Sequence, residues 1–265
     1  MTEEKLRLGG MALRNGLLVH GPTHWAGAVR TSAGEIAVAS GRKPDLGARA
    51  AERLPGVRGV VKLAEAMAVI PLVKRALPEA RLPMQDVKTL GAMGAAALAG
   101  QAVRTVARSV AAREAAVAVI SLTPALMALR SGDLAAYHGV EHKAIAAYEQ
   151  DGDAAEAEKE HDRCGSNLVA PMLGAAAVGN VAARRVGLRG PLAEAGVALG
   201  SAAVAVEIFA WSERHAESRM ARLLRKPGHE MQRVVGTREP STAQLEVGAA
   251  ALEEILRVEG AAGAA

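Results

Sequence analysis

Aromatic side chains are almost missing from this chain. Two tyrosines, two tryptophans and one phenylalanine make up 2% of it, although half of its residues are apolar. The apolar volume therefore comes mainly from alanine, valine and leucine. Alanine-rich stretches favour helix and let helices approach closely. The lack of aromatics also bears on partners: the net charge is +4, but no stacking residues are interleaved with the arginines, which argues against a nucleic-acid ligand. There is one cysteine, so no intrachain disulfide can form and a reducing compartment is expected. No phosphate-binding loop, dinucleotide fingerprint or serine-triad motif occurs. The opening MTEEKLRLGGMALRNG has no apolar core of a secretory signal. Any membrane contact is expected to come from internal helices.

A chain of 265 residues can bury one substantial core or two small ones. Residues 9–40 have β texture: WAGAVRT and EIAVAS are short apolar runs separated by the turn SAGE, and HGPTH precedes them as a Gly-Pro turn. Helical texture begins after RKPDLG. In RGVVKLAEAMAVIPLVKRAL the apolar residues Val60, Leu63, Met67 and Ile70 form one stripe, and Pro71 is expected to kink or end the helix. Near the C-terminus, Ser241 and Gln244 have capping-box spacing, followed by an apolar face at 245, 248, 249, 252, 255 and 256. That helix is expected to pack on the N-terminal β-unit, with the tail GAAGAA frayed. The domain reading is an N-terminal β-unit over 1–57, a helical region over 58–225, and a C-terminal segment over 226–265.

Charge is unevenly placed. Residues 1–90 hold 14 Lys/Arg against 8 Asp/Glu, residues 130–165 hold 4 against 9, and residues 214–238 hold 7 against 2. Basic flanks beside apolar segments fit the cytoplasmic face of a membrane. Four segments are free of charge, 89–103, 115–129, 165–183 and 195–206. All are shorter than the roughly 20 residues that a helix needs to cross hydrocarbon. They also contain Pro124, Asn167, Pro171 and Asn180. Composition alone therefore assigns them to buried core helices more readily than to spans.

The chemistry concentrates in YHGVEHK, residues 137–143, and HDRC, residues 161–164. Three of the seven histidines fall within residues 138–161. His138 and His142 are four apart, so on a helix they share a face and can reach one ion. The string matches the H-x-x-E-H pattern of inverted zincins, in which the histidines hold zinc and the glutamate, here Glu141, activates water. His161 and Cys164 add donors at a spacing one turn can bring together, completing an N/N/N/S set suited to zinc. Four protein donors would make the site structural, whereas three would leave a position for water and make Glu141 a plausible base. Gly139 is a poor helix-interior residue, so the helix is a candidate to start there.

Glu207 stands among apolar residues, where a carboxylate needs a partner. It is a candidate additional ligand or proton acceptor, or the partner of a cation such as Arg214. Lys143 and Arg163 are candidates to pair with nearby acids or to contact an anionic substrate. The acidic run EQDGDAAEAEKEHD has the composition of a solvated loop or helix face.

These strings resemble the bacterial domain-of-unknown-function 1385 family, described as predicted metal-dependent, multi-pass membrane proteins. The resemblance rests on GGMALRNGLLV, YHGVEHK, HDRCGSN, VEIFAW and KPGHEMQRVVGTREPSTAQLEV, and so runs nearly end to end. It implies a membrane location and a metal at His138, Glu141, His142, His161 and Cys164, but no established reaction. The chain departs from the family pattern at Met11 and Asn15, where glutamine and glutamate are usual, and it is shorter between Pro124 and Tyr137.

The combined expectation is a mainly α protein with a small N-terminal β-unit, an Ala-rich helical bundle embedded in the cell membrane, multi-pass, in contact with lipid. The metal site and both termini are expected on the cytoplasmic side. The expected cofactor is Zn2+ or another divalent ion, held by His138, His142, His161 and Cys164. Two functions fit: a metal-dependent hydrolase using Glu141, or a non-catalytic scaffold or assembly factor with structural zinc. A soluble cytoplasmic helical domain is the remaining alternative.

Overall fold

The computed structural model describes residues 5–263, apart from 52, 55, 84, 131 and 132. Strands β1 (Gly9–Leu13), β2 (Gly16–His20), β3 (His24–Arg30) and β4 (Ile36–Arg42) form an antiparallel meander in chain order. The expected hairpin around SAGE joins β3 to β4, with Ala28 opposite Val38. A tighter hairpin at Arg14-Asn15 joins β1 to β2. There the Asn15 amide donates to the carbonyls of Arg30 and Glu79, at 2.9 and 3.1 Å, and accepts from the Arg81 N–H at 2.9 Å. Asn15 thus has a polar, structural role in this chain.

The helices are α1 (Ala48–Ala51), α2 (Val57–Ala68), α3 (Ile70–Ala76), α4 (Val87–Val106), α5 (Val110–Arg130), α6 (Leu134–Gln150), α7 (Val169–Arg185), α8 (Pro191–Arg214), α9 (Arg219–Met231) and α10 (Thr242–Gly263). The helical pattern over 58–77 breaks at Val69, and Pro71 sits in the first turn of α3, where its missing N–H leaves no bond unmade. The expected stripe is not the buried one. Leu63 and Met67 are each 51% exposed, while Gly59, Val69 and Val73 are buried.

The sheet is covered on both faces. Leu17 and Val19 meet Tyr137, Val140, Val247, Ala251 and Ile255 in one core, while Leu18 joins Trp25, Val29, Val73 and Leu77 in the other. Period-two alternation along β2 separates these sets. Helix α10 packs on the sheet and on α6, and its start is capped as expected: the Ser241 N–H donates to Gln244 Oε1 at 2.9 Å. Its buried face is turned slightly from the expected one, with Val247 and Ala251 inside and Ala249 exposed. Helix persists through Gly263, so residues 260–263 are not frayed, and residues 264 and 265 lie outside the described residues.

The four apolar segments become two helical hairpins, α4–α5 and α7–α8. They are not core helices. Three stretches, Ala112–Arg130, Gly165–Arg185 and Pro191–Arg214, are long and apolar enough to cross a membrane, and only 17, 6 and 11% of their apolar windows is buried. In these three the helix continues past the charge-free run into flanking residues, whereas the run 89–103, in α4, is not among them. The hairpin tips lie together: Asn180 Nδ2 donates to Glu114 Oε2 at 3.1 Å, and Gln101 and Arg104 share a cavity with Arg184 and Arg189.

Helix α6 occupies the centre, in contact with β1, β2, α5 and α10. It is buried almost continuously from Leu134 to Ala147, its charged and polar residues included. Gly139 does not start it but lies inside it. A Cβ at Gly139 would stand 2.5 Å from the Arg238 carbonyl oxygen, so the missing side chain is what lets the C-terminal segment cross α6. Gly139→Ala should therefore cost about 1–3 kcal/mol by overpacking. A thermal unfolding midpoint equal to that of the unsubstituted protein would show that the crossing does not need glycine.

Candidate metal centre

Three of the expected donors converge. One ligand atom from each of His138, His142 and Cys164 lies within 4.8 Å of the others, a group that could hold a metal ion. The two histidines share one face of α6 with ring centroids 4.4 Å apart. Cys164 arrives from the loop after α6, at the N-cap of a short 3-10 turn (Gly165–Leu168) that leads into α7. Its Sγ is 3.4 Å from His138 Nε2.

Backbone carbonyls fix both imidazoles. His138 Nδ1 bonds the Gly236 carbonyl oxygen at 2.8 Å, and His142 Nδ1 bonds that of Lys159 at 2.6 Å. A carbonyl only accepts, so each Nδ1 carries the hydrogen and each Nε2 presents a lone pair. Carbonyl partners of this kind orient metal-binding histidines. Gly236 closes a π-helical turn (Gln232–Gly236) at the end of α9, a local departure that often marks functional sites.

The donor set passes a physical test of fit. His142 Nε2 is buried and has no hydrogen-bond partner. Burial, with a smaller contribution from the neighbouring His138, pushes the His142 pKa down to about 3, so the ring is neutral and in its ligand form at neutral pH. Burial raises the Cys164 thiol above its ordinary value, partly offset by bonds from Ser166. A bound cation would reverse that shift and favour the thiolate.

Glu141 is buried against β1, where a Cβ on Gly10 would lie 2.6 Å from its Cγ. Burial raises its carboxyl to about 7, with His138 opposing and Cys164 adding to the shift. His161 stands beside the group rather than in it. Its ring is 5.7 Å from that of His142, and its Nε2 is 3.5 Å from Glu149 Oε2. Gln232, wholly buried, holds His161 by accepting from its N–H at 2.8 Å and donating to its carbonyl at 3.2 Å.

Glu207 lies outside the donor group and is paired differently from expectation. It accepts from the Gly56 N–H at 2.8 Å and from Arg58 at 3.0 and 2.5 Å, rather than pairing with Arg214. Arg58 is 149 positions away, so sequence spacing could not indicate it. Lys143 bonds Glu239 at 2.5 Å and the Ala155 carbonyl at 3.2 Å, and Arg163 pairs with Glu149. The acidic run is a largely exposed, turn-rich loop. Sequence reasoning missed Gln232 and the carbonyls of Gly236 and Lys159. A carbonyl has no residue-type signal at all.

The fold and site together define a class: helical proteins with a potential metal centre at the root of apolar helical hairpins. The chain belongs to the family described as "Protein of unknown function (DUF1385)", whose model matches residues 117–258, more than half of the chain. The match begins within α5 and ends within α10, so it contains the whole donor group but not the N-terminal GGMALRNGLLV string. No curated protein and no solved structure matches the chain.

If the three donors act as one site, purified protein should carry about one equivalent of divalent metal. His142→Ala and Cys164→Ser should each remove most of it by elemental analysis, whereas Glu207→Gln should not. Metal retained in both donor variants would rule out the His-His-Cys site.

Proposed function

We propose that this chain is a multi-pass membrane protein that holds zinc between His138, His142 and Cys164 and uses the centre for hydrolysis, with Glu141 as the base. The observation that carries the reading is the buried, unpartnered His142 Nε2 beside two further donors. Two neutral imidazoles and one thiolate suit zinc. Three protein donors leave the fourth position of a tetrahedral ion for water or substrate, as catalytic sites do. Zinc in that position supplies a Lewis acid that makes water more acidic. Glu141 forms the other half of the machinery. Burial raises its carboxyl toward the neutral range, the direction a proton acceptor working near neutral pH requires, and a bound cation would lower it again. Among the described residues it makes no hydrogen bond that would compete for a proton. Lys143 and Arg163, already paired with acids, are left as structural cations.

His161 supports a second reading. Released from Glu149, it is near enough to His142 to complete a four-donor set, and the zinc would then be structural in a scaffold or assembly factor. Cobalt substitution separates the two. A three-donor centre should give a visible spectrum that changes with pH and survives His161→Ala, and Glu141→Gln should keep the metal but flatten the pH response. A pH-independent spectrum lost in His161→Ala would establish the structural site instead.

In this reading both hairpins cross the membrane, so the sheet, the metal centre and α10, at the hairpin roots, would share one side. The roots carry the 13 Lys/Arg of residues 58–88 and 214–238, against six arginines near the tips, namely Arg104, Arg108, Arg113, Arg184, Arg185 and Arg189. The positive-inside rule then places the roots in the cytoplasm. In a Cys164→Ser background, an impermeant thiol reagent should label Ser109→Cys in intact cells. It should label Glu253→Cys only after permeabilisation, and the opposite pattern would invert the topology.

A further inference from the structure

Where α8 meets the N-terminal unit, a cavity of about 1110 Å³ opens between residues 5–9, β2, α2 and the C-terminal half of α8. Seven Lys/Arg line it against two carboxylates, Glu149 and Glu213. Both acids are already engaged: Arg7 binds both oxygens of Glu213, and Arg163 binds Glu149. Glu207, whose field Arg214 shares, is held by Arg58. Two lining cations form no ion pair among the described residues, although the carboxylates of Glu65 and Glu259 act on Lys43 and that of Glu207 on Arg214. Lys43 donates only to the Gly21 carbonyl, at 3.1 Å, and Arg214 makes no ion pair. His20 adds a buried Nδ1 with no hydrogen-bond partner, and its pKa is pushed down to about 4 by burial and by the Lys43 charge. Cations thus outnumber carboxylates in this lining.

Leu6, Leu8, Val206 and the chain's only phenylalanine, Phe209, also line the cavity, the last two from a helix of membrane-crossing length. An anionic headgroup would answer the excess of cations, and a bare anion would leave these apolar side chains uncovered. We propose that this cavity binds the phosphate group of an anionic amphiphile, with Lys43 and Arg214 on the phosphate and the chain of the ligand along Val206 and Phe209. This inference does not depend on the metal centre.

The test is calorimetric titration of the full chain in non-ionic detergent with three probes: dioctanoyl phosphatidylglycerol, dioctanoyl phosphatidylcholine and inorganic phosphate. Phosphatidylglycerol should bind, and phosphatidylcholine at least about tenfold more weakly. Lys43→Gln and Arg214→Gln should each weaken phosphatidylglycerol about fivefold, the worth of one cation near an anionic headgroup. Arg75→Gln, an exposed cation outside the cavity, should leave binding unchanged. Inorganic phosphate binding with the same sensitivity to both variants would support the phosphate site and make its source soluble, whereas its failure beside tight lipid binding makes the source the bilayer. Equal binding of the two lipids, affinity unmoved in whichever variant retains its helical circular dichroism, or no binding of any probe would overturn the proposal.

Discussion

A helix buried on every side must have each of its polar side chains answered by a neighbour, and α6 places His138, Glu141, His142 and Lys143 in succession along its length. The rest of the centre is arranged around meeting that demand. Lys143 is answered by Glu239 and the Ala155 carbonyl, His138 by Gly236, and His142 by Lys159. Each of those partners comes from outside the helix, from the loop after it or from the C-terminal segment. What is left over defines the site: one imidazole nitrogen with no partner and one carboxyl displaced to about 7. Leaving a buried polar atom unpaired costs about 1–3 kcal/mol. That cost is reason to regard the position as one where a ligand belongs.

The same arrangement divides the molecule. The sheet, α6 and α10 bury a conventional core on both faces of β2, whereas the hairpins α4–α5 and α7–α8 leave Val119, Val178, Leu192 and Leu199 more than 60% exposed. An apolar surface of that extent is unfavourable in water and natural in hydrocarbon. The donor group sits at the junction, since α5 runs into α6 and Cys164 immediately precedes α7. The basic cavity beside α8 occupies a similar junction, lined by both cations and apolar side chains.

Much of this was legible in the residues. The i, i+4 spacing of His138 and His142 specifies a shared helix face, and HDRC supplies a sulfur donor within a short loop. The short apolar runs WAGAVRT and EIAVAS, with the turn SAGE between them, mark the β3–β4 hairpin, and Ser241 with Gln244 marks the start of α10. The misreadings have a common cause. The stripe on α2 failed because Gly59, not Leu63 or Met67, packs inward, against Val206 of α8. The apolar segments looked too short because their charged flanks are also helical. Gly139 looked like a helix start because its true neighbour, the Arg238 carbonyl, is 99 positions away.

By itself, then, the sequence determined the local facts: a mainly helical chain, a small antiparallel sheet, a pair of histidines on one face and a cysteine within reach of them. These depend on periodicity and spacing, which are properties of neighbours along the chain. Only the tertiary structure decided which donors meet. It turned His161 toward Glu149, paired Glu207 with Arg58, and brought the carbonyls of Gly236 and Lys159 onto the two imidazoles. Backbone carbonyls are the same in every residue, so no sequence pattern could name them. It is their hydrogen bonds that turn the histidine Nε2 atoms toward the cysteine.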